Sequence, residues 1–252
     1  MDSIRFPRFF IDTGSGLKAG DAVILGGDDA KHICTVLRMK AGEKALLCGN
    51  GLEYPAEIIA AQKNCVEFKV TGIRENGGEP KTKIRLFQCV PKGEKLDLIV
   101  QKATELGVSE IIPVISKRCV SRPDKKSNKI QRLQKITEAA AKQSGRGKIP
   151  VVHDFTDFNC ALKLYKKENM GIIFYENGGE KLNKIFEKRN NFESGGLPID
   201  VFIGSEGGFE PAEIEAATEA GLIAASLGKL ILRTETAPIA ALAIIMNLTG
   251  EI

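Results

Sequence analysis

Tryptophan is missing from the 252 residues, histidine occurs twice and tyrosine three times. The only histidines are His32 and His153. The cysteines, at 34, 48, 65, 89, 119 and 160, form no Cys-x-x-Cys pair. The clustered ligands of a zinc centre are therefore lacking, and no metal is expected. Cysteines scattered in this way suit small buried hydrophobes in a reducing compartment. No apolar run reaches the roughly 18 residues of a membrane span, so none is expected. Met1-Asp2-Ser3-Ile4-Arg5 has no apolar signal core. These absences point to a cytoplasmic protein. With 43% hydrophobic and 27% charged residues, the chain can bury a core in one large domain or two small ones.

Net charge is only +4, but it is unevenly spread. From Lys117 to Lys148 eleven Lys/Arg face Asp124 and Glu138, whereas from Ile199 to Asn247 seven acids face Lys229 and Arg233. A basic stripe beside an acidic half is the footprint expected of a polyanion partner on one face. A solvated helix face is the plainer alternative.

The pattern of elements changes along the chain. Residues 1–74 read as short strands with turns, including Ala22–Leu25, Glu43–Cys48, Tyr54–Ile59 and Cys65–Val70, which predicts a small β-barrel. A short helix is expected after Asp28 or Asp29, either of which can cap it. Glu75-Asn76-Gly77-Gly78-Glu79-Pro80 makes 75–82 the linker candidate. Residues 83–252 alternate strands (Ile84–Val90, Glu110–Ile115, Ile172–Tyr175, Ile199–Ile203, Ala224–Leu227) with helices (Glu94–Leu106, Lys129–Ser144, Pro211–Ala220, Pro238–Leu248). That alternation predicts an α/β domain with a mainly parallel sheet covered on both faces.

Two glycine-bearing clusters stand where apolar runs end: Gly204-Ser205-Glu206-Gly207-Gly208-Phe209 and Leu227-Gly228-Lys229-Leu230-Ile231-Leu232-Arg233-Thr234-Glu235. Glycine permits a sharp turn and a close approach of ligand to bare N–H groups. Neither cluster carries the Gly-Lys-Ser/Thr of a phosphate loop or the Gly-x-Gly-x-x-Gly of a dinucleotide site. Two such loops at strand ends make a small-molecule site in an open α/β sheet.

In this order the two loops resemble the cofactor loops of the SPOUT methyltransferases, and within that class the RsmE type. The likeness extends to Arg5–Phe10, to Ala30–Ile33 with Val36-Leu37-Arg38, to Pro91–Lys95, to Gln101–Val108 and to Ala139–Arg146. It departs from the family at Ser205, where proline is usual. The resemblance implies a PUA-like RNA-binding barrel followed by a domain with a C-terminal trefoil knot. It implies S-adenosylmethionine as cofactor and N3 of a uridine in 16S rRNA of the small ribosomal subunit as target. It also implies a homodimer packed through Pro238–Leu248, a stretch apolar nearly all round. Gly204, Glu206, Gly207, Gly208, Leu227, Gly228, Leu230, Leu232 and Thr234 would then hold the cofactor.

N3 of uridine must lose a proton to attack, and nearby positive charge favours the anion. Arg233, always protonated, is assigned to stabilise that anion rather than to act as base. The proton acceptor stays open between water and Glu235. Arg8, Arg38, Lys92, Lys102, Arg122, Lys125, Lys126, Gln143 and Arg146 are the candidate RNA contacts, with Lys92 and Arg146 read as phosphate binders. His32 is expected to be packed or to touch RNA, and His153 has no role. Ribose 2′-O methylation and a non-catalytic RNA-binding assembly factor are the competing functions.

Overall fold

Alternating burial in short segments builds the first part of the fold, as in Cys65–Val70, where Val66, Phe68 and Val70 are buried between more exposed neighbours. The computed structural model describes residues 6–14, 16–122, 128–188 and 196–252. Its contacts separate two units: residues up to Glu79 together with Lys142–Lys148, and Pro80–Ala141 together with Ile149–Ile252.

The first unit contains β1 (Arg8–Phe10), β2 (Ala22–Gly26), α1 (Gly27–Lys31), β3 (Lys44–Gly49), β4 (Leu52–Gln62), β5 (Cys65–Val70) and β6 (Arg74–Glu75). The strands lie in the order β1-β3-β4-β5-β2, with β6 beside β4. Only the β1–β3 pair is parallel. Phe9, Leu47, Tyr54, Ile58, Val66 and Phe68 form its core. Asp28 and Asp29 do not cap α1. Gly26 occupies the cap, and the two acids sit in the first turn, where the helix dipole favours negative charge. A π-helical turn, His32–Leu37, follows, and His32 is exposed.

The expected linker is not a free tether. Asn76 is buried and donates to Glu53 Oε1 at 2.7 Å and to the Gly145 carbonyl at 3.0 Å. Glu79 accepts from Arg146 Nη2 at 2.7 Å and from the Gly147 N–H at 3.0 Å. These bonds explain why Lys142–Lys148, continuous in sequence with a helix of the second unit, groups with the first.

The second unit contains β7 (Ile84–Cys89), α2 (Lys95–Glu105), β8 (Glu110–Ile115), α3 (Lys129–Ser144), β9 (Val151–Val152), β10 (Thr156–Asp157), α4 (Phe158–Leu164), β11 (Met170–Phe174), β12 (Glu180–Lys181), α5 (Leu182–Glu187), β13 (Ile199–Ile203), α6 (Pro211–Ala220), β14 (Ile223–Ser226) and α7 (Thr236–Leu248). The last residues of α3 belong to the 142–148 stretch. The sheet runs β10-β8-β7-β13-β11-β14-β12, with β9 beside β8, and its pairs are parallel. Every residue of β11 and β13 is buried, as a strand covered on both faces requires.

One face packs on α2, α5 and α7 through residues such as Ile99, Val100, Ile185, Leu242 and Ile245. The other packs on α4 and α6, with the Phe87 and Phe202 rings stacked 4.2 Å apart. Burying Asp200 beside Phe202 is tolerable because Arg85 binds its carboxylate at 2.7 and 2.5 Å. The six cysteines are free, and burial pushes the Cys89 thiol up. Among the described residues no cluster of potential metal ligands occurs, and no helix is long and apolar enough to cross a membrane.

Candidate functional site

In a parallel sheet all strands end on one side, and the loops that leave those ends share one edge. Here the loops after β11, β13 and β14 enclose a cavity of about 300 Å³. Of the residues expected to bind cofactor, Gly204, Glu206, Gly207, Gly208, Leu227, Gly228, Leu230 and Leu232 line it. Thr234 is buried behind them, and its hydroxyl donates to the Gly204 carbonyl at 3.0 Å, tying the second loop to the first.

The first loop is very tight. Ser205 and Gly208 form an isolated bridge, and a Cβ at Gly204 would lie 3.0 Å from Gly208 Cα. Gly208 has φ +65°, and a Cβ there would strike the Glu176 carboxylate. The second loop turns at Gly228 with φ +116° in open space, so that glycine is required by conformation rather than by crowding. Ser205, the departure from proline, is buried with its Oγ lacking a properly aligned partner among the described residues.

Sequence reasoning missed part of the wall. Phe174, Tyr175 and Glu176, at the end of β11, also line the cavity, as do Ile203, Ser226, Lys229, Ile231 and Ala237. An apolar run ending before Gly178-Gly179 has the same form as the two glycine clusters and is the signal that marks this wall.

Glu206 accepts from the Lys92 N–H at 3.1 Å and from Lys95 Nζ at 3.1 Å. Burial pushes its carboxyl up, but its own N–H, Lys95 and the Lys92 N–H outweigh that and leave it below the ordinary range. Glu235 is lowered first by its own N–H and then by Lys95, whose Nζ lies 3.3 Å from Glu235 Oε2. That pair is an ion pair without hydrogen-bond alignment. Arg233 is exposed and does not line the cavity. Its carbonyl accepts from the Thr236 and Ala237 N–H groups and starts α7.

The candidate RNA contacts fare unequally. Lys92, Arg38, Arg122 and Gln143 are exposed. Lys102 is paired with Glu105 at 2.9 Å on its own helix. Lys125 and Lys126 lie outside the described residues. Arg8 and Arg146 are held in ion pairs rather than free on the surface. The Arg146 side chain is 4% exposed and bound to Glu79, and that of Arg8 is 13% exposed and bound to Glu53 at 2.7 Å. A buried guanidinium must be paired, and these two pairs tie together the interior of the first unit. The basic stripe is likewise partly neutralised: Lys117 and Arg118 face Glu210, Arg132 faces Asp97, and Lys142 faces Asp29. Arg122, Lys129, Lys135 and Lys148 have no carboxylate partner among the described residues. His153, expected to be idle, meets Glu110 at 2.8 Å on the surface.

A family model described as an RNA methyltransferase domain matches residues 78–246, and one described as an RNA methyltransferase PUA domain matches 25–71. The ribosomal RNA small subunit methyltransferase E of Bacillus subtilis is 32% identical, over 94% of this chain and 95% of its own length. That of Rickettsia conorii is also 32% identical, over 95% of each. A crystal structure of the Neisseria gonorrhoeae protein of the same name, bound to S-adenosyl methionine, superimposes with a TM-score of 0.87 at 34% identity, covering 97% of this chain and 98% of that one. The parallel sheet, the loops at its edge and these likenesses agree: the chain belongs to the ribosomal RNA small subunit methyltransferase E family.

Proposed function

We propose that the protein is an S-adenosylmethionine-dependent methyltransferase acting on N3 of a uridine in 16S rRNA of the small ribosomal subunit. The observation that carries this is the convergence of both glycine loops, with the end of β11, on one cavity. The residues fit the cofactor. Ile203, Leu227, Leu230 and Leu232 provide an apolar slot, and Gly204, Gly207 and Gly208 bring the backbone of the first loop to its wall. The Glu206 carboxylate, held ionised, adds negative charge to the cavity wall suited to a cationic ligand. When bound, the cofactor supplies an electrophilic methyl group.

The chain's own task is to orient the base and ease the loss of the N3 proton. Arg233, exposed in the second loop and outside the cavity lining, is the residue we assign to stabilise the developing anion. Glu235, held ionised by its amide and by Lys95, is a weak base, which leaves water as the better proton acceptor. We further read the C-terminal segment as a trefoil knot, as the family resemblance implies, and the active species as a cytoplasmic homodimer. Leu230 and Ile231, 80% and 85% exposed, give a second copy an apolar edge to cover.

Incubation of the protein and S-adenosylmethionine with 30S particles, 70S ribosomes or free 16S rRNA, followed by mass analysis of nucleosides, tests this. The expected product is 3-methyluridine. A ribose-methylated nucleoside would favour 2′-O transfer. RNA binding with no methylated product and no cofactor binding would favour the assembly-factor reading.

A further inference from the structure

Lys95 enters the chemistry above only through the two carboxylates it lowers, and its ammonium reaches both cofactor loops. It opens α2, after the turn that leaves β7. Nζ lies 3.1 Å from Glu206 Oε1 in the first loop and 3.3 Å from Glu235 Oε2 at the end of the second. The Lys92 N–H, from the same turn, adds a bond to Glu206 at 3.1 Å. Two carboxylates so close to one nitrogen would repel each other if that charge were removed.

Among the described residues no neighbouring cation is placed to take over. Arg132 is engaged by Asp97 and Glu94, and Arg118 by the Gly207 carbonyl and Glu210. Lys117 also faces Glu210. Arg233 lowers Glu235 through charge alone, as the smallest of its influences. Lys92 and Lys229 form no ion pair among the described residues. Glu176, beside Gly208, is a further acid near the first loop.

We propose that Lys95 is a positioning residue whose ammonium clamps Glu206 to Glu235 and so holds the two cofactor loops in the arrangement that binds S-adenosylmethionine. This rests on the cofactor assignment made above. The clamp has a signature that loss of packing lacks. With Lys95 in place both carboxylates stay ionised well into acid, so cofactor affinity is insensitive to them near neutrality. Without it, closing the loops forces like charges together and raises one carboxyl. Binding is then coupled to proton uptake and strengthens as pH falls.

Calorimetric titration of the full-length protein with S-adenosylmethionine tests this, using wild type, Lys95→Met, Lys95→Arg and Lys95→Met/Glu235→Gln, with thermal melting as a control for folding. Lys95→Met is expected to weaken binding about tenfold or more at roughly pH 8, and the gap to wild type should narrow severalfold by roughly pH 6. Glu235→Gln in the Lys95→Met background should recover most of the loss, and Lys95→Arg should stay near wild type. Unchanged affinity in Lys95→Met, or a loss relieved by neither acid nor Glu235→Gln, overturns the proposal. Should Lys95→Met fail to fold, recovery of folding and affinity by the added Glu235→Gln supports the clamp, and its absence overturns it. Wild-type protein that binds no S-adenosylmethionine overturns the cofactor assignment and this inference with it, whereas normal wild-type binding with indifferent variants overturns this inference alone.

Discussion

Gly208 shows how a single residue can be dictated by its neighbours. Its φ of +65° is costly for an L side chain, and the Glu176 carboxylate occupies the space a Cβ would need. Gly208→Ala is expected to weaken cofactor binding by about 1 to 3 kcal/mol through backbone strain, read by calorimetry on protein that still melts cooperatively. The role proposed for Arg233 makes a different demand. Arg233→Ala should lower kcat by about 100- to 1000-fold with little change in affinity for S-adenosylmethionine, as expected for a charge needed mainly as the anion forms. Arg233→Lys should restore only part of it, because a point charge cannot copy a planar fork. Raising the pH should narrow the difference. Normal turnover in Arg233→Ala would leave the residue as support for the start of α7.

At the scale of elements, the β-rich unit is held together by charges the sequence keeps far apart. Glu53 on β4 accepts from Arg8 on β1, Arg74 on β6 and Asn76, each at 2.7 Å. Burial pushes the Glu53 carboxyl up, but the two arginines more than reverse this and hold it below its ordinary value. A lowered folded-state pKa means stability that is fully present above the unfolded value and lost as pH falls through the folded one. The first unit should therefore loosen in acid below the usual carboxylate range. Glu53→Gln should cost about 3 kcal/mol near neutrality and flatten that acid transition, measured by denaturant unfolding at several pH values.

The basic stripe yields a matching contrast. Reversing Arg122, Lys129 and Lys135 to Glu should weaken RNA binding and reduce the logarithmic salt slope by roughly 0.7 to 0.9 for each phosphate no longer neutralised. Arg146→Ala should instead lower the melting temperature, since its charge is bound to Glu79.

At the scale of the molecule, α7 is covered on one side by the core of its own unit through Ala241, Leu242, Ile245 and Met246, while Ile244 remains 41% exposed. With Leu230 and Ile231, this leaves apolar surface that a second copy would bury. Sedimentation at micromolar concentration is expected to give a dimer. Ile231→Asp should shift the protein toward monomer, because a charge in an apolar contact must be desolvated without a partner. A monomeric wild type would remove the dimer from the proposed function.

Much of this protein can be read from the chain alone, for a local reason. Apolar periodicity marks β13 and the buried face of α2, and glycine at the end of an apolar run marks the two loops that line the cavity. Those features depend on residues a few positions apart. Short α4 and α5, each under two full turns, carry too little periodicity to be seen, and the wall made by Phe174, Tyr175 and Glu176 is recognisable only once β11 stands beside β13 and β14. Charge was the least legible property. Eleven basic residues in one stretch look like a bare stripe until Glu79, Asp97, Glu210 and Asp29 arrive from elsewhere in the chain to neutralise part of it. Local pattern determined the elements and the loops. Only the tertiary structure decided which charges are free, because pairing depends on distance in space and not on separation along the chain.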